Sequence, residues 1–104
     1  MTTQANLSHE ARELVMFAVN DSAMYEQALV ILKNHAKKLK AGKYDADKAL
    51  SSWKALADVA AKKYAKDFDN VANWNRIFSV EDRNQAAAEF LSYYQEDLEE
   101  MAAE

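Results

Sequence analysis

Two histidines, ten lysines gathered in one block and a single glycine are the residues from which this chain could build chemistry. The first histidine opens "HEARE", His9 to Glu13, which starts like the HExxH of zinc proteases. Glu13 stands where the second histidine is needed, so the zinc arrangement fails. His9 and Glu13 could share a metal at i,i+4, but solvent exposure is the simpler reading. The second histidine, His35, sits at the edge of an apolar helix face and reads as a boundary residue with its hydrogen bonds satisfied.

Around the glycine, "AGKYD" contains Gly42-Lys43. A phosphate-binding loop needs an earlier glycine and a hydroxyl after the lysine; here Ala41 precedes and Tyr44 follows. "DADKALSSWKAL" offers Asp45 and Asp47 to a cation but lacks the central glycine and closing glutamate of a calcium loop. No Ser-His-Asp set is singled out by so few histidines among so many hydroxyls and acids. No metal and no cofactor is therefore expected, and the chain reads as non-enzymatic.

Lys33, Lys37, Lys40 and Lys43, with Tyr44 and Trp53 nearby, form a pattern that could track a phosphate backbone. The pI of about 5.2 argues against a dedicated nucleic-acid binder. The patch also lacks arginine, the preferred bidentate reader of guanine. Weak, non-specific DNA or RNA contact through the basic stretch Lys33 to Lys66 remains the alternative to protein binding.

The elements that position these residues are helices. With no proline, one glycine and 20 alanines, the chain lacks the punctuation of β-hairpins and is rich in helix formers. An all-α fold is expected: one domain over residues 1–104, a compact bundle of about four helices around a central antiparallel hairpin. Ser8 is placed as an N-cap before the stripe Ala11, Leu14, Val15 and Ala18. Asn20 to Ser22 reads as a break, with one continuous helix as the alternative.

A second helix, about Ala23 to Ala41, buries Tyr25, Leu29, Leu32, Ala36 and Leu39, widened by Met24, Ala28 and Ile31. Gly42 closes it as a C′ residue. Asp45 caps a third helix whose stripe is Ala49, Trp53, Leu56, Ala57, Ala60, Tyr64 and Phe68, with Asp58 and Lys62 paired at i,i+4. "DFDNVANWNRIFS" is expected to be irregular or to hold one helical turn, docked by Val71, Trp74, Ile77 and Phe78. Ser79 and Asp82 then form a capping box for a last helix with Ala87, Phe90, Leu91, Tyr94, Leu98 and Met101 on its inner face.

No apolar run reaches the roughly 20 residues of a membrane span, and the N-terminus has no signal-peptide pattern. With no cysteine, a cytoplasmic location is expected. The net charge of −4 conceals three blocks: −3 over residues 1–32, +7 over 33–66 and −8 over 67–104. Such blocks either complement each other internally or face a partner. Glu96, Asp97, Glu99, Glu100 and Glu104 fall near the C-terminal end of the last helix, where the dipole disfavours each exposed anion by about 0.3–1 kcal/mol. Either that end frays, or a cation compensates it, from the protein's own lysines or from a basic partner.

The stretch "MYEQALVILKNHAKKLKAGKYDADKALSSWKALADVAAKKYAKDF", with the later "WNRIFSVEDRNQAAAEFLSYYQEDLE", resembles a family of small helical proteins encoded by bacteriophages and plasmids. The resemblance covers most of the chain. It carries no catalytic residues with it. It implies an accessory protein that binds and modulates a host or phage protein, for example as an inhibitor of host defence or nucleic-acid machinery. The candidate contact residues are Lys37, Lys40, Lys43 and Tyr44 at the turn, and Glu96, Asp97, Glu99 and Glu100 at the acidic end, whose face could mimic DNA.

Overall fold

The four longest helices each begin where a short polar side chain, Ser8, Asp21, Asp45 or Ser79, takes up free backbone N–H groups. The computed structural model describes residues 7–67 and 73–104. Among them are six α-helices: α1 (His9–Asn20), α2 (Ser22–Lys40), α3 (Ala46–Asp67), α4 (Trp74–Ile77), α5 (Val80–Tyr93) and α6 (Gln95–Ala103). No strand occurs among the described residues. No helix there is long and apolar enough to cross a membrane. The expected all-α class is observed, with six helices rather than about four. Phe68 and Val71, expected to dock on the core, lie outside the described residues.

The Ser8 hydroxyl accepts the Ala11 N–H at 3.0 Å and starts α1, which buries Ala11, Leu14, Val15 and Ala18. The helix ends at Asp21, in extended conformation (φ −97°, ψ 124°). The Asp21 carboxylate accepts the Met24 N–H at 3.1 Å and so also starts α2. Lys63 of α3 donates to both of its oxygens, at 3.0 and 2.8 Å. The break at Asn20–Ser22 is thus a capped corner tied to a third helix.

The inner face of α2 is Met24, Ala28, Leu32, His35 and Ala36. This corrects the expected face in one respect: Tyr25 is 47% exposed. The buried face is centred on the Met24–Ala28–Leu32 side of the expected one, so Met24 stays inward while Tyr25, one residue or about 100° further round the helix, turns out. At its other end Gly42 has φ +71°. The Gly42 N–H donates to the Leu39 carbonyl at 3.1 Å and the Lys43 N–H to the Lys38 carbonyl at 2.8 Å. Those two bonds are a Schellman closure, which needs a left-handed residue at C′.

α2 and α3 run antiparallel, since Asp21 at the start of α2 meets Lys63 near the end of α3. They are not, however, the closest pair. α3 packs most extensively on α5, and α2 on α6. Alanine explains this preference. Ala57, Ala60 and Ala61 of α3 and Ala86 and Ala87 of α5 are fully or almost fully buried and let the two backbones approach. The larger residues join two aromatic strings. Trp53 stacks on Tyr94 at 5.1 Å with its plane tilted by only 8°. Tyr64 meets Phe17 edge-on at 5.4 Å and Phe78 at 5.2 Å. Burial beside Trp53 pushes the Tyr94 phenol up to about 12.

The segment before α5 holds the single turn α4, and Phe78 is buried as expected while Trp74 and Ile77 are half-buried. Ser79 and Asp82 form the expected capping box, at 3.0 and 3.1 Å. The expected single last helix is divided at Tyr94, where the backbone leaves the helical geometry (φ −95°, ψ 6°). The break lets Tyr94 lie flat on Trp53 while α6 turns onto α2. The expected pair of Asp58 with Lys62 is replaced as well. Asp58 accepts a hydrogen bond from Arg83 at 2.9 Å, and the Lys62 ammonium lies 5.0 Å from the centre of the Trp74 ring. Tertiary contacts outweigh an exposed i,i+4 pair of a few tenths of a kcal/mol.

Candidate functional site

The α2–α3 corner gathers charge because three short segments converge on it. Lys38 comes from the last turn of α2, Lys43 and Tyr44 from the connection, and Lys48 from the first turn of α3. Together they surround a cavity of about 250 Å³. Its floor is His35 and Ala49, both buried. Asp45 lines one side, and its Oδ1 accepts the backbone N–H groups of Asp47 at 2.9 Å and Lys48 at 3.4 Å, the N-cap role expected of it.

His35 is the residue that sequence reasoning misjudged. It is 4% exposed, not a boundary residue, and its Nδ1 has no hydrogen-bond partner. Its ring meets Trp53 edge-on at 5.8 Å and Tyr44 at 6.0 Å. Burial, and after it the Lys38 charge, hold its pKa below the ordinary 6.5. Burial in the same corner pushes the Tyr44 phenol above its usual value. The signal available in the sequence was the three-residue step from His35 to Lys38, which puts an imidazole and an ammonium on one side of a helix.

The lysines singled out from the sequence divide between two places. Lys43 lies at the corner cavity, with Tyr44. Lys37 and Lys40, with Lys33, instead line a groove of about 300 Å³ whose other wall is Met101 and Glu104 of the C-terminal end of α6. The protein's own lysines thus stand beside the acidic end of that helix. Lys38 and Lys48, not singled out, belong to the cavity.

Glu96, Asp97, Glu99 and Glu100 are all exposed, with Leu98 between them turned into the core. The division at Tyr94 changes their electrostatics. Glu96 and Asp97 occupy the first turn of α6, where the dipole favours anions rather than opposing them. Glu99 accepts a hydrogen bond from Gln95 Nε2 at 3.1 Å. The break therefore removes the expected conflict for Glu96 and Asp97, while Glu100 and Glu104 stay at the C-terminal end of α6.

His9 and Glu13 do approach each other, at 3.7 Å, on an exposed face. Among the described residues no group of three or more acids and histidines is placed to hold a metal ion. Trp53 is 1% exposed and is a core residue, unavailable to stack on a base. Comparisons with protein-family models, with curated proteins and with solved structures returned no match.

Proposed function

We propose that the chain is a non-enzymatic helical binding protein that modulates a protein partner, in the setting of a phage or mobile element that the sequence resemblance implies. The observation that supports this most is a two-signed exposed surface. The four α6 acids face solvent on either side of Leu98, and Lys33, Lys37 and Lys40 of α2 face solvent across a groove whose other wall is Met101 and Glu104 at the end of the same helix as those acids. Complementary charge of this kind steers encounter and sets register more than it adds affinity. The test is affinity capture with in-cell crosslinking, comparing the unaltered chain with two variants. One replaces Glu96, Asp97, Glu99 and Glu100 by Gln; the other replaces Lys37, Lys40, Lys43 by Glu. One partner lost from either variant supports the reading, and identical capture by all three chains opposes it.

A second reading is weak, non-specific DNA or RNA contact through residues 33–66. Lys37, Lys40 and Lys43 are exposed, which favours it. Glu104 beside Lys37 and Lys40 opposes a phosphate backbone there. Counterion release separates the two: nucleic-acid binding must fall steeply with salt.

A further inference from the structure

The corner cavity has more structure than a lysine-rich surface requires. Its volume of about 250 Å³ exceeds what one water fills, about 30 Å³ in the liquid. Its three ammonium groups come from α2, the connection and α3, and among the described residues none of them is ion-paired with a carboxylate. At its floor stands a histidine whose Nδ1 is buried without a partner. Orphaned polar atoms of that kind are uncommon, because each carries an uncompensated desolvation cost. The neighbouring Tyr44 and Trp53 rings pack against the imidazole edge-on and supply that nitrogen with nothing.

We propose that this cavity is a binding site for a small phosphate-bearing ligand, held by Lys38, Lys43 and Lys48 with His35 at its inner end. His35 lines the cavity with its Nδ1 closed off, and a turn of the ring presents that nitrogen, in the tautomer that carries its proton there, to a phosphate oxygen as the acceptor it otherwise lacks. Three lysines suit a compact dianion. They are point charges, whereas a planar carboxylate is matched best by an arginine fork, and the corner has no arginine. Asp45 is the one carboxylate in the lining, and its Oδ1 is engaged by the start of α3. Three positive charges therefore face one negative charge, which leaves room for one anion. Ser52 on the α3 side adds a hydroxyl donor.

The proposal concerns the isolated chain, so its outcome is separable from that of the partner-binding reading. The full chain is titrated with inorganic phosphate and with ribose 5-phosphate at constant ionic strength, followed by the imidazole nitrogen resonances of His35 and by calorimetry. A saturable shift of His35 Nδ1 in the low-millimolar range or below, with either probe, is the expected result. Replacing Lys38, Lys43 and Lys48 by Gln, all at exposed positions, is expected to weaken binding by at least about tenfold, or about 1.4 kcal/mol. Replacing Lys33, Lys37 and Lys40 by Gln is expected to leave it unchanged. His35→Phe, which keeps an aromatic ring in the core, is expected to weaken binding while helicity persists. Absence of a saturable shift overturns the proposal, as does an equal response to chloride, or binding that survives the loss of Lys38, Lys43 and Lys48.

Discussion

Arg83 of α5 and Asp58 of α3 meet at 2.9 Å, Nη1 to Oδ1, with the arginine 8% exposed. The same side chain donates Nε–H to the carbonyls of Phe78 and Ser79, both at 3.3 Å. Its guanidinium lies 4.6 Å from the centre of the Trp74 ring. One arginine thus binds α3, α4 and the start of α5. Removing one partner of a buried pair strands the other charge. Arg83→Ala is expected to cost about 2–4 kcal/mol, and Asp58→Ala about 2–3 kcal/mol. The double variant should cost less than their sum by about 1 kcal/mol or more, measured as a urea double-mutant cycle. Strict additivity would show that the pair is not coupled.

A second tie joins helix starts far apart in the chain. The Ser8 hydroxyl donates to Asp82 Oδ1 at 2.7 Å, and the Ser8 N–H donates to Gln85 Oε1 at 2.7 Å. Asp82 therefore serves both the cap of α1 and the capping box of α5. Asp82→Ala is expected to cost about 2 kcal/mol, more than the roughly 1 kcal/mol of an ordinary cap. Hydrogen exchange should accelerate at the first turns of both helices; acceleration confined to α5 would show that the Ser8 bond contributes nothing.

Gly42→Ala tests the closure of α2. A Cβ there meets nothing within 4 Å, so the cost is one of conformation alone at φ +71°. About 1–2 kcal/mol is expected, with Asn at the same position costing less, since it tolerates the left-handed region better. Equilibrium unfolding of the two variants decides the order.

Stability should depend on pH in two separate windows. In the unfolded chain His35 takes up a proton near 6.5, while in the fold burial, then Lys38, delay that uptake to lower pH. The unfolded state then binds more protons, so stability falls as the pH drops below about 6.5. His35→Phe should flatten that limb. The hydrogen bond from Lys63, with the Met24 N–H, holds the Asp21 carboxyl below its usual 3.8. For Asp82, burial works against the charged form, but the bonds from Ser8 and Ser79 outweigh it and its pKa is also lowered. Both acids stabilise the fold above about 3.8, and that contribution is lost as the pH falls through their lower folded values. Midpoints of urea unfolding across the acid range check both limbs; a flat profile between pH 7 and 5 would remove the role given to His35.

Local chemistry was legible because it depends on residues close in sequence. Ser8, Asp45, Gly42 and the Ser79–Asp82 box act within one turn of their own helices. The stripes Ala11–Ala18 and Ala49–Ala60 follow from the helical repeat. Tyr25 was placed inward beside Met24 because both are large and carry apolar surface, and periodicity alone does not fix how wide a stripe the packing of α2 buries.

The sequence by itself determined that the chain is helical, that Ser8, Asp45 and Ser79 cap helix starts and that its charge falls into three blocks. Tertiary structure decided what those blocks do. Tyr94 lies flat on Trp53, so the last helix divides, and Glu96 and Asp97 become a first turn. Asp58 is taken from its local partner Lys62 by Arg83, because a buried guanidinium must be paired and an exposed ammonium need not be. His35, Lys38, Lys43 and Lys48 become one cavity only because Gly42 folds α2 and α3 back on each other. No periodicity records that meeting, since it depends on residues whose relation is set by the turn and by the alanine-lined packing of α3.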